Sequence, residues 1–459
     1  MKLYFNVNDK PKFAQILVFA LQQLLAIMAA TIAVPRIVGN GMSMSAAIFG
    51  AGVGTLVYLL FTKFKSPVFL GSSFAFMGSM SSAFAGAVSV QAGYLGLVIG
   101  AVLAGLVYVI IAIVVKKCGT GWINKLMPAA VIGPTVAIIG LSLAGSAVND
   151  LISGSPISEE SYSSFIGLFC GLVTLAVVII CSVYGKKMVK MIPFVIGILS
   201  GYLVATIFTI IGKVSGVDGL VIIDFSKFKN IEWIPDFTFV EAFKGLDDFE
   251  NAGQFLSYLA TVAIAYVPVA FVVFAEHIAD HKNLSTIIEH DLLTDPGLDK
   301  TLLGDGVGSM AGAFFGGCPN TTYGESVGCV AISGNASVVT IFATAIMCIV
   351  ISFFGPFSTF LSTIPSCVMG GVCMSLYGFI AVSGLKMVQK VDLEDNRNLF
   401  VVAVILIAGV GELVLKIGQV TITEVAAALI LGILTNILCH AKKDKNEQVE
   451  NKEENSQEN

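Results

Sequence analysis

Three acidic residues stand where the surrounding sequence is apolar or interrupted. Glu276 and Asp280 lie four residues apart near the end of an apolar run, so a helix would place both on one face. Glu325 follows the motif Pro-Asn-Thr-Thr-Tyr-Gly, where a helix begins and backbone amides lack partners. An acid within a membrane segment is functional by default. The alternatives are that Asp280 starts a cytoplasmic loop, and that Glu325 only complements a helix dipole.

These acids predict a polar pocket for a neutral, planar ligand. Carboxylates accept hydrogen bonds, whereas interrupted helices at Phe74 and Gly324 would offer backbone N–H donors. The complement is a small lactam or imide such as a nucleobase, with the rings of Phe74 and Tyr323 packed on its faces. Burial and a neighbouring negative charge favour the protonated form of a carboxyl group. Glu276 and Asp280 are therefore also the predicted proton-coupling residues.

Other chemistries fit the sequence less well. His277, His281 and Glu276 resemble H-E-x-x-H only loosely, because Ile278 stands where that motif has Glu, and no metal site is predicted. The sequence contains neither a nucleophile–base set nor a P-loop, so it favours neither an enzyme nor ATP-driven transport, and no cofactor is expected. Asp305, in a Gly-rich stretch, is a weaker candidate that belongs either near the site or at a helix end.

The elements that must position these residues are membrane helices. The 459 residues are 56% hydrophobic and 12% charged, against roughly 25% charged in soluble domains. The nine cysteines form no CxxC, so neither a disulfide framework nor a thiolate metal site is indicated. Apolar stretches of about 20 residues, the length that spans a bilayer, recur at Phe13–Pro35, Ala92–Val115, Phe165–Tyr184, Phe194–Ile211 and Phe255–Ala279.

The distribution of Lys and Arg predicts the orientation of the chain. Lys10 and Lys12 precede the first segment, and Lys442 and Lys443 follow the last, which places both termini in the cytoplasm. The loop Val148–Glu160 contains neither Lys nor Arg and suits the outer side. The first segment is too long for the apolar part of a signal peptide and is predicted to be retained. The chain is thus expected to cross the inner (plasma) membrane an even number of times.

The two halves of the chain contain similar sequence segments, which indicates an internal repeat. Three pairs of segments recur in the same order: Gly50–Leu56 with Gly304–Met310, Ser66–Ala75 with Gly317–Ser326, and Pro128–Gly133 with Pro365–Gly370. Seven spans per half would invert the second half relative to the first. The predicted fold is an all-α polytopic membrane protein of 14 transmembrane segments, arranged as two inverted seven-segment repeats, with short extended stretches in segments 3 and 10. The glycines of Gly50–Gly54 are expected to permit close helix packing.

At these motifs the chain resembles the nucleobase–cation symporters of the nucleobase–ascorbate transporter family, and within it the branch that transports uracil. The stretches that carry the resemblance are Phe271–Asp280, Asp291–Leu298, Pro319–Gly328, Leu70–Phe76, and Val368–Gly371 with Tyr377. The resemblance implies import of uracil by proton symport through alternating access, and often a homodimer. It assigns substrate contacts to the side chains of Glu276 and Glu325, the backbone amides of Phe74 and Gly324, and the pocket-lining residues Ala30, Tyr323 and Tyr377.

The resemblance also implies a division into two domains. A core domain would comprise residues 1–117 and 251–360, which hold segments 1–4 and 8–11. A gate domain would comprise residues 118–250 and 361–441, which hold segments 5–7 and 12–14. Residues 442–459, polar and low in complexity, are predicted to form a disordered cytoplasmic tail.

The sequence departs from the family pattern at two positions and leaves two rival functions open. Asp280 stands where the best-known uracil-transporting members have His, and Gln22-Gln23 stands where a Gln-His pair is common, so the proton relay is expected to differ. One rival is a purine or xanthine permease, whose second motif more often has Gln or Asn in place of Glu325. The other is an anion transporter of the same fold, by analogy only, which would have a basic residue or an open helix end there.

Overall fold

The computed structural model describes residues 3–119, 122, 126–158, 161–186, 188–229, 231–417 and 420–439. Within these ranges eight helices are long and apolar enough to cross a membrane, or nine if a pair bent by 83° forms one span. The prediction of a multi-pass, mainly helical membrane protein is therefore confirmed. The predicted tail 442–459, with Lys442 and Lys443, lies outside the described residues.

The first half of the chain contains one short strand among its helices. Its elements are α1 (Phe13–Val38), α2 (Met44–Phe61), β1 (Leu70–Ser72), α3 (Met77–Ala85), α4 (Val90–Cys118), α5 (Ala129–Ser142), α6 (Ala144–Leu151), α7 (Ser161–Tyr184), α8 (Met188–Met191), α9 (Pro193–Ser215) and α10 (Thr238–Lys244). Two short 3-10 turns, Asp218–Leu220 and Phe225–Lys229, lie between α9 and α10.

The second half begins with the longest helix of the described chain. Its elements are α11 (Ala252–Ile288), α12 (Leu298–Gly316), β2 (Asn320–Thr322), α13 (Gly324–Ser333), α14 (Val338–Ser352), α15 (Gly355–Thr363), α16 (Ser366–Val388), α17 (Asn396–Val410), β3 (Leu415–Ile417), β4 (Val420–Ile422) and α18 (Glu424–Cys439). The five apolar segments predicted from the sequence lie in α1, α4, α7, α9 and α11. Because α11 continues to Ile288, Asp280 lies within a helix and does not start a loop.

Local sequence explains where several of these helices begin and end. The side chains of Ser43, Ser89 and Asn251 accept hydrogen bonds from backbone amides in the first turns of α2, α4 and α11, as helix-capping residues do. Gly317 and Gly334 adopt left-handed conformations, with φ of 75° and 66°, and end α12 and α13. Glycine adopts this conformation without steric cost.

Two parts of the chain, β1 with α3 and β2 with α13, contain extended backbone, and the strands of these two interrupted segments pair with each other. β1 and β2 form a two-stranded antiparallel ladder in which Leu70 lies opposite Thr322 and Ser72 opposite Asn320. All six residues of the two strands are buried. Their backbone groups therefore bond to each other within the protein, which makes non-helical backbone tolerable inside a membrane.

Glycines bring α2 and α12 into close contact. A Cβ atom added to Gly54 would lie 2.7 Å from the Gly308 carbonyl oxygen, and one added to Gly308 would lie 2.7 Å from that of Gly54. The Asn320 side chain donates a hydrogen bond of 3.0 Å to the Gly50 carbonyl, which ties β2 to α2. The predicted role of Gly50–Gly54 in helix packing is confirmed.

The helices form two packed groups. One contains α2, α4, α11 and α12, with α1, α3, α13 and α14 packed around them. In the other, α16 packs on α5, α6 and α7, with α9 against α7 and α17 against α5. The interrupted segments belong to the first group and face the second.

Candidate functional site

The three predicted acids line one cavity of about 130 Å³. Among the described residues around it none is basic, and the lining consists of Phe74, Val136, Glu276, Ala279, Asp280, Thr321, Thr322, Tyr323, Gly324, Glu325, Phe379, Ile380, Ser383 and Met387. The structure thus brings Glu276, Asp280 and Glu325 together from α11 and α13, with both strand-containing segments beside them.

Asp280 is held in place by the second interrupted segment. The Thr322 hydroxyl donates a hydrogen bond of 2.7 Å to one carboxylate oxygen of Asp280. Its other oxygen faces the start of α13, since a Cβ added to Gly324 would lie 3.9 Å from it. Thr322 is itself fixed by pairing with Leu70. The strand pair therefore determines the position of this acid.

The start of α13 lies at the cavity, with its first backbone amides beside the acids. Tyr323 precedes the helix in an extended conformation, with φ −109° and ψ 120°, and the helix begins at Gly324. The first amides of a helix have no backbone partner within it; Gly324 is the first of them, and the Glu325 amide donates to its own carboxylate. The Tyr323 hydroxyl donates a 2.7 Å hydrogen bond to the Ser72 carbonyl, which ties the residue to β1.

Of the pocket-lining residues predicted from the sequence, Phe74 and Tyr323 line the cavity, whereas Tyr377 and Ala30 do not. Phe74, which follows β1, lines the cavity, and its ring packs edge-on against Tyr377 with 5.7 Å between centroids. Tyr377 and Ala30 are buried, on α16 and α1 respectively, but neither lines this cavity. Contact of these two residues with substrate stays a prediction.

A second cavity, of about 320 Å³, adjoins the first. The two share Gly324, Glu325 and Phe379. The second cavity continues past Ala26 on α1 to Lys190 at the end of α8, and the Lys190 side chain is exposed. Glu325 therefore lines both cavities, and Lys190 lines the second.

Behind Glu276 and Asp280, two fully buried histidines form hydrogen bonds to neighbouring helices. His277 Nδ1 lies 2.7 Å from an Asp305 carboxylate oxygen, and its Nε2 lies 3.0 Å from the Thr301 hydroxyl. His281 Nδ1 lies 2.8 Å from the His277 carbonyl, and its Nε2 lies 2.7 Å from the Tyr58 hydroxyl. Asp305 is thus in the interior of α12, and both imidazoles serve structure. Over the described part of the chain no three candidate ligands could hold a metal ion.

Gln23, at the position where His is common, supports the start of α13. Its side-chain amide donates a hydrogen bond to the Ser326 hydroxyl. The same hydroxyl accepts a 3.3 Å hydrogen bond from the Phe69 backbone amide. Through Ser326, the residue after Glu325, Gln23 thus links α1 to both interrupted segments.

Sequence reasoning did not find the wall of the cavity opposite the acids. Five lining residues, Val136, Phe379, Ile380, Ser383 and Met387, come from α5 and α16. They stand in ordinary apolar membrane helices and form no motif. Two signals pointed to these helices: the third pair of similar segments, whose copies start α5 at Pro128 and α16 at Pro365, and the motif Val368–Gly371 with Tyr377 on α16.

The fold and the site define a polytopic membrane transporter with a central polar cavity. Residues 14–417 match the permease family, and the chain belongs to that family. It is 37% identical over 448 residues to the uracil permease of Bacillus subtilis (strain 168), covering 97% of both chains. It is 33% identical over 430 residues to the uracil permease of Escherichia coli (strain K12), covering 93% of this chain and 92% of the relative. The resemblance to the nucleobase–ascorbate transporter family is confirmed, and the chain is a transporter and not an enzyme.

Solved structures of two more distant transporters share the fold. The transmembrane domain of the cyanobacterial bicarbonate transporter BicA aligns with a TM-score of 0.61 at 14% identity, covering 95% of this chain and 100% of that one. The murine anion transporter Slc26a9, in its inward-facing state, aligns with a TM-score of 0.64 at 12% identity, covering 95% and 70%. At these identities the likeness concerns the fold alone.

Proposed function

We propose that this protein imports uracil by proton symport through alternating access. The observation that carries the proposal is the cavity in which Glu276 and Glu325 lie beside the first backbone amides of α13. Uracil presents ring N–H donors to carboxylates and carbonyl acceptors to amides. A ligand with both groups in one plane satisfies this set of partners, and Phe74 and Tyr323 supply aromatic surface next to it.

The size of the cavity and the identity of residue 325 favour a pyrimidine over a purine. A volume of about 130 Å³ is below the roughly 300–1,000 Å³ of pockets for drug-sized ligands, and suits one ring better than two fused rings. This chain has an acid, Glu325, at the position where purine-transporting members more often have Gln or Asn. The relatives named above are uracil permeases.

An anion substrate is disfavoured by the charge of the site. Three carboxyl groups line the cavity, and among its described lining residues there is no cation to offset them. A negative substrate would meet repulsion from each ionised acid at close range. The two solved anion transporters are similar in fold only.

The same acids provide a basis for proton coupling. Uracil is neutral, so its uphill movement requires a co-transported ion. Carboxylates that share a buried cavity repel one another, and binding of a proton relieves this repulsion. We assign coupling to Glu276 and Asp280, which lie one turn apart on α11 and both line the cavity.

The architecture that goes with this mechanism is 14 segments in two inverted repeats of seven. The eight long spans are joined in this scheme by β1–α3, α12, β2–α13, α14–α15, α17 and α18. Corresponding features of the two halves support this scheme. β1 pairs with β2, and Gly54 contacts Gly308. Pro128 and Pro365 precede α5 and α16 in the same way. The core domain (1–117 and 251–360) would carry the three acids. The gate domain (118–250 and 361–441) would form the cavity wall opposite them. Both termini would be cytoplasmic, and the protein a homodimer.

Uptake of labelled uracil into cells that lack their own permease tests the proposal. We expect uptake that a protonophore abolishes, that excess xanthine does not displace, and that Glu325→Gln removes. Glu394→Gln is the matched control, because Glu394 is an exposed acid outside the cavity. Uptake of xanthine in place of uracil would move the substrate to purines, and insensitivity to the protonophore would refute proton symport.

A further inference from the structure

Residues 3–9 form a short strap across the turn that joins α13 to α14. Within it, Phe5 pairs with Asn335 of that turn in a parallel β-bridge. The Phe5 ring also packs edge-on against Phe19 of α1, with 6.0 Å between the ring centroids. The strap therefore connects the beginning of α1 to the turn between α13 and α14.

The strap supplies hydrogen-bond donors at the end of α13. That helix ends where Gly334 adopts a left-handed conformation with φ 66°. The Gly334 carbonyl accepts hydrogen bonds of 2.7 and 3.2 Å from the backbone amides of Tyr4 and Phe5. The Tyr4 ring lies against Gly334, since an added Cβ would be 2.8 Å from it. Backbone groups at a helix end need partners outside the helix, and here the strap provides them.

The strap also supplies hydrogen-bond acceptors at the start of α14. The amide of Val338, the first residue of α14, donates to the Val7 carbonyl over 3.1 Å. The Ser337 side chain makes no capping bond to α14, and its hydroxyl donates instead to the Asp9 carbonyl over 2.6 Å. The strap thus takes the place of a capping side chain.

The helix α13 has the strap at one end and the substrate cavity at the other. It contains ten residues, which at 1.5 Å per residue is about 15 Å. Glu325, its second residue, lines the cavity, and next to it Ser326 accepts a hydrogen bond from Gln23 of α1. This short helix is therefore fixed at its start by α1 and at its end by the strap.

We propose that the strap is a positioning element of the substrate site, which holds Glu325 in place through α13. A short helix that is fixed at one end only can tilt, and Glu325 would then move relative to Glu276 and Asp280 on α11. The strap itself does not line the cavity, so it acts on the substrate only through this helix. The inference rests on the proposed binding of uracil at Glu325.

A role of the strap in stability alone makes a different prediction. Bonds that only stabilise the fold change the unfolding temperature and leave the uracil affinity of the folded protein as it is. The positioning role predicts weaker binding, and only while Glu325 is present, because the strap acts through that residue. The effects of removing the strap and of Glu325→Gln should therefore not add.

Val338→Pro removes one bond of the strap and leaves α14 able to form. Proline lacks the amide that donates to Val7 and is favoured at the first position of a helix. Ser337 before it is extended, with φ −63° and ψ 122°, as the residue before a proline should be. Val90→Pro is the matched control, because Val90 starts α4 after the extended Ser89 and forms no bond with the strap.

Hydrogen exchange of the α13 amides and calorimetric titration of uracil are measured for the wild type and three variants. We expect faster exchange in α13, and uracil binding weaker by about fivefold or more, both on deletion of residues 3–9 and in Val338→Pro. Val90→Pro should match the wild type in both measurements. In a Glu325→Gln background, the deletion should weaken binding little further. Val338→Pro keeps the test decisive if the deletion variant does not fold.

Unchanged uracil affinity in folded Val338→Pro and in the deletion variant would overturn the proposal, even if exchange in α13 becomes faster. An equal loss of affinity with Glu325 and with Gln at this position would also overturn it. Exchange in α13 that neither change accelerates would refute the strap independently of any ligand. A wild type that binds no uracil would instead refute the proposed function.

Discussion

Removing the Tyr58 hydroxyl tests the hydrogen bonds that hold α11 against α2. This hydroxyl lies 2.7 Å from His281 Nε2 and 2.8 Å from the Ser66 hydroxyl, and all three residues are fully buried. Tyr58→Phe keeps the ring and its packing and deletes only these bonds. Because α11 carries Glu276 and Asp280, the change also tests how firmly the site is positioned.

The size of the effect follows from the protonation of His281. A carbonyl oxygen only accepts, so His281 Nδ1, 2.8 Å from the His277 carbonyl, carries the proton. In the neutral ring Nε2 is then an acceptor, and Tyr58 is its donor. Leaving this buried nitrogen unpaired is expected to cost about 1–3 kcal/mol. Tyr108→Phe is the control, because its buried hydroxyl has no hydrogen-bond partner among the described residues, so its removal should cost about 0 kcal/mol.

The thermal unfolding midpoints of the purified wild type, Tyr58→Phe and Tyr108→Phe are compared in the same detergent. Tyr58→Phe should unfold at a lower temperature than the wild type, and Tyr108→Phe at the same temperature or higher. Uracil uptake should fall in Tyr58→Phe and stay unchanged in Tyr108→Phe. Equal thermal midpoints for the two variants would refute the network as a source of stability.

Two further changes test the strand pair and the helix contact. Thr322→Val removes the donor to Asp280 and should weaken uracil uptake, because a bond to a charged group is worth about 1.5–3 kcal/mol; Thr322→Ser should retain uptake, and equal loss in both would contradict this. Gly54→Ala should cost about 1–3 kcal/mol of stability by overpacking against Gly308. Gly378→Ala, which meets open space, should stabilise its helix by up to about 1 kcal/mol, as thermal denaturation would reveal.

The parts of the fold predicted from sequence are those with a local signal. Long apolar segments such as Phe13–Pro35 identified α1 and its counterparts, because a bilayer-spanning helix needs a long apolar run. The Pro and Gly interruptions before Phe74 and Gly324 coincide with the short strands β1 and β2; that these strands interrupt membrane segments stays a prediction. Motif position then grouped Glu276 with Glu325, and the structure places both on one cavity.

The end of α11 had no such signal. Polar residues, His281-Lys282-Asn283, follow Asp280 and resemble a loop in composition. The helix nevertheless continues, partly because His281 bonds to Tyr58, a residue 223 positions away. It ends only where Glu289 adopts a left-handed conformation with φ 54°. Contacts between distant residues decide this boundary, and a single sequence does not encode them in a local pattern.

The wall opposite the acids was missed for a related reason. Phe379 and Ser383 lie on a membrane helix whose apolar composition is the same whether a residue faces lipid or a cavity. Arg36 and Ser366 likewise belong to different helices, and only the packing of α1 against α16 brings their side chains within 3.4 Å of each other. Such residues are found from the structure.

The most direct test of the central claim is calorimetric titration of uracil into the purified protein. The wild type and the surface control Glu394→Gln should bind uracil alike. Glu325→Gln should bind it roughly 10- to 150-fold more weakly, the equivalent of one hydrogen bond to a charged group at about 1.5–3 kcal/mol. Undiminished binding by Glu325→Gln, or no binding of uracil by the wild type, would contradict the assignment of this cavity as the substrate site.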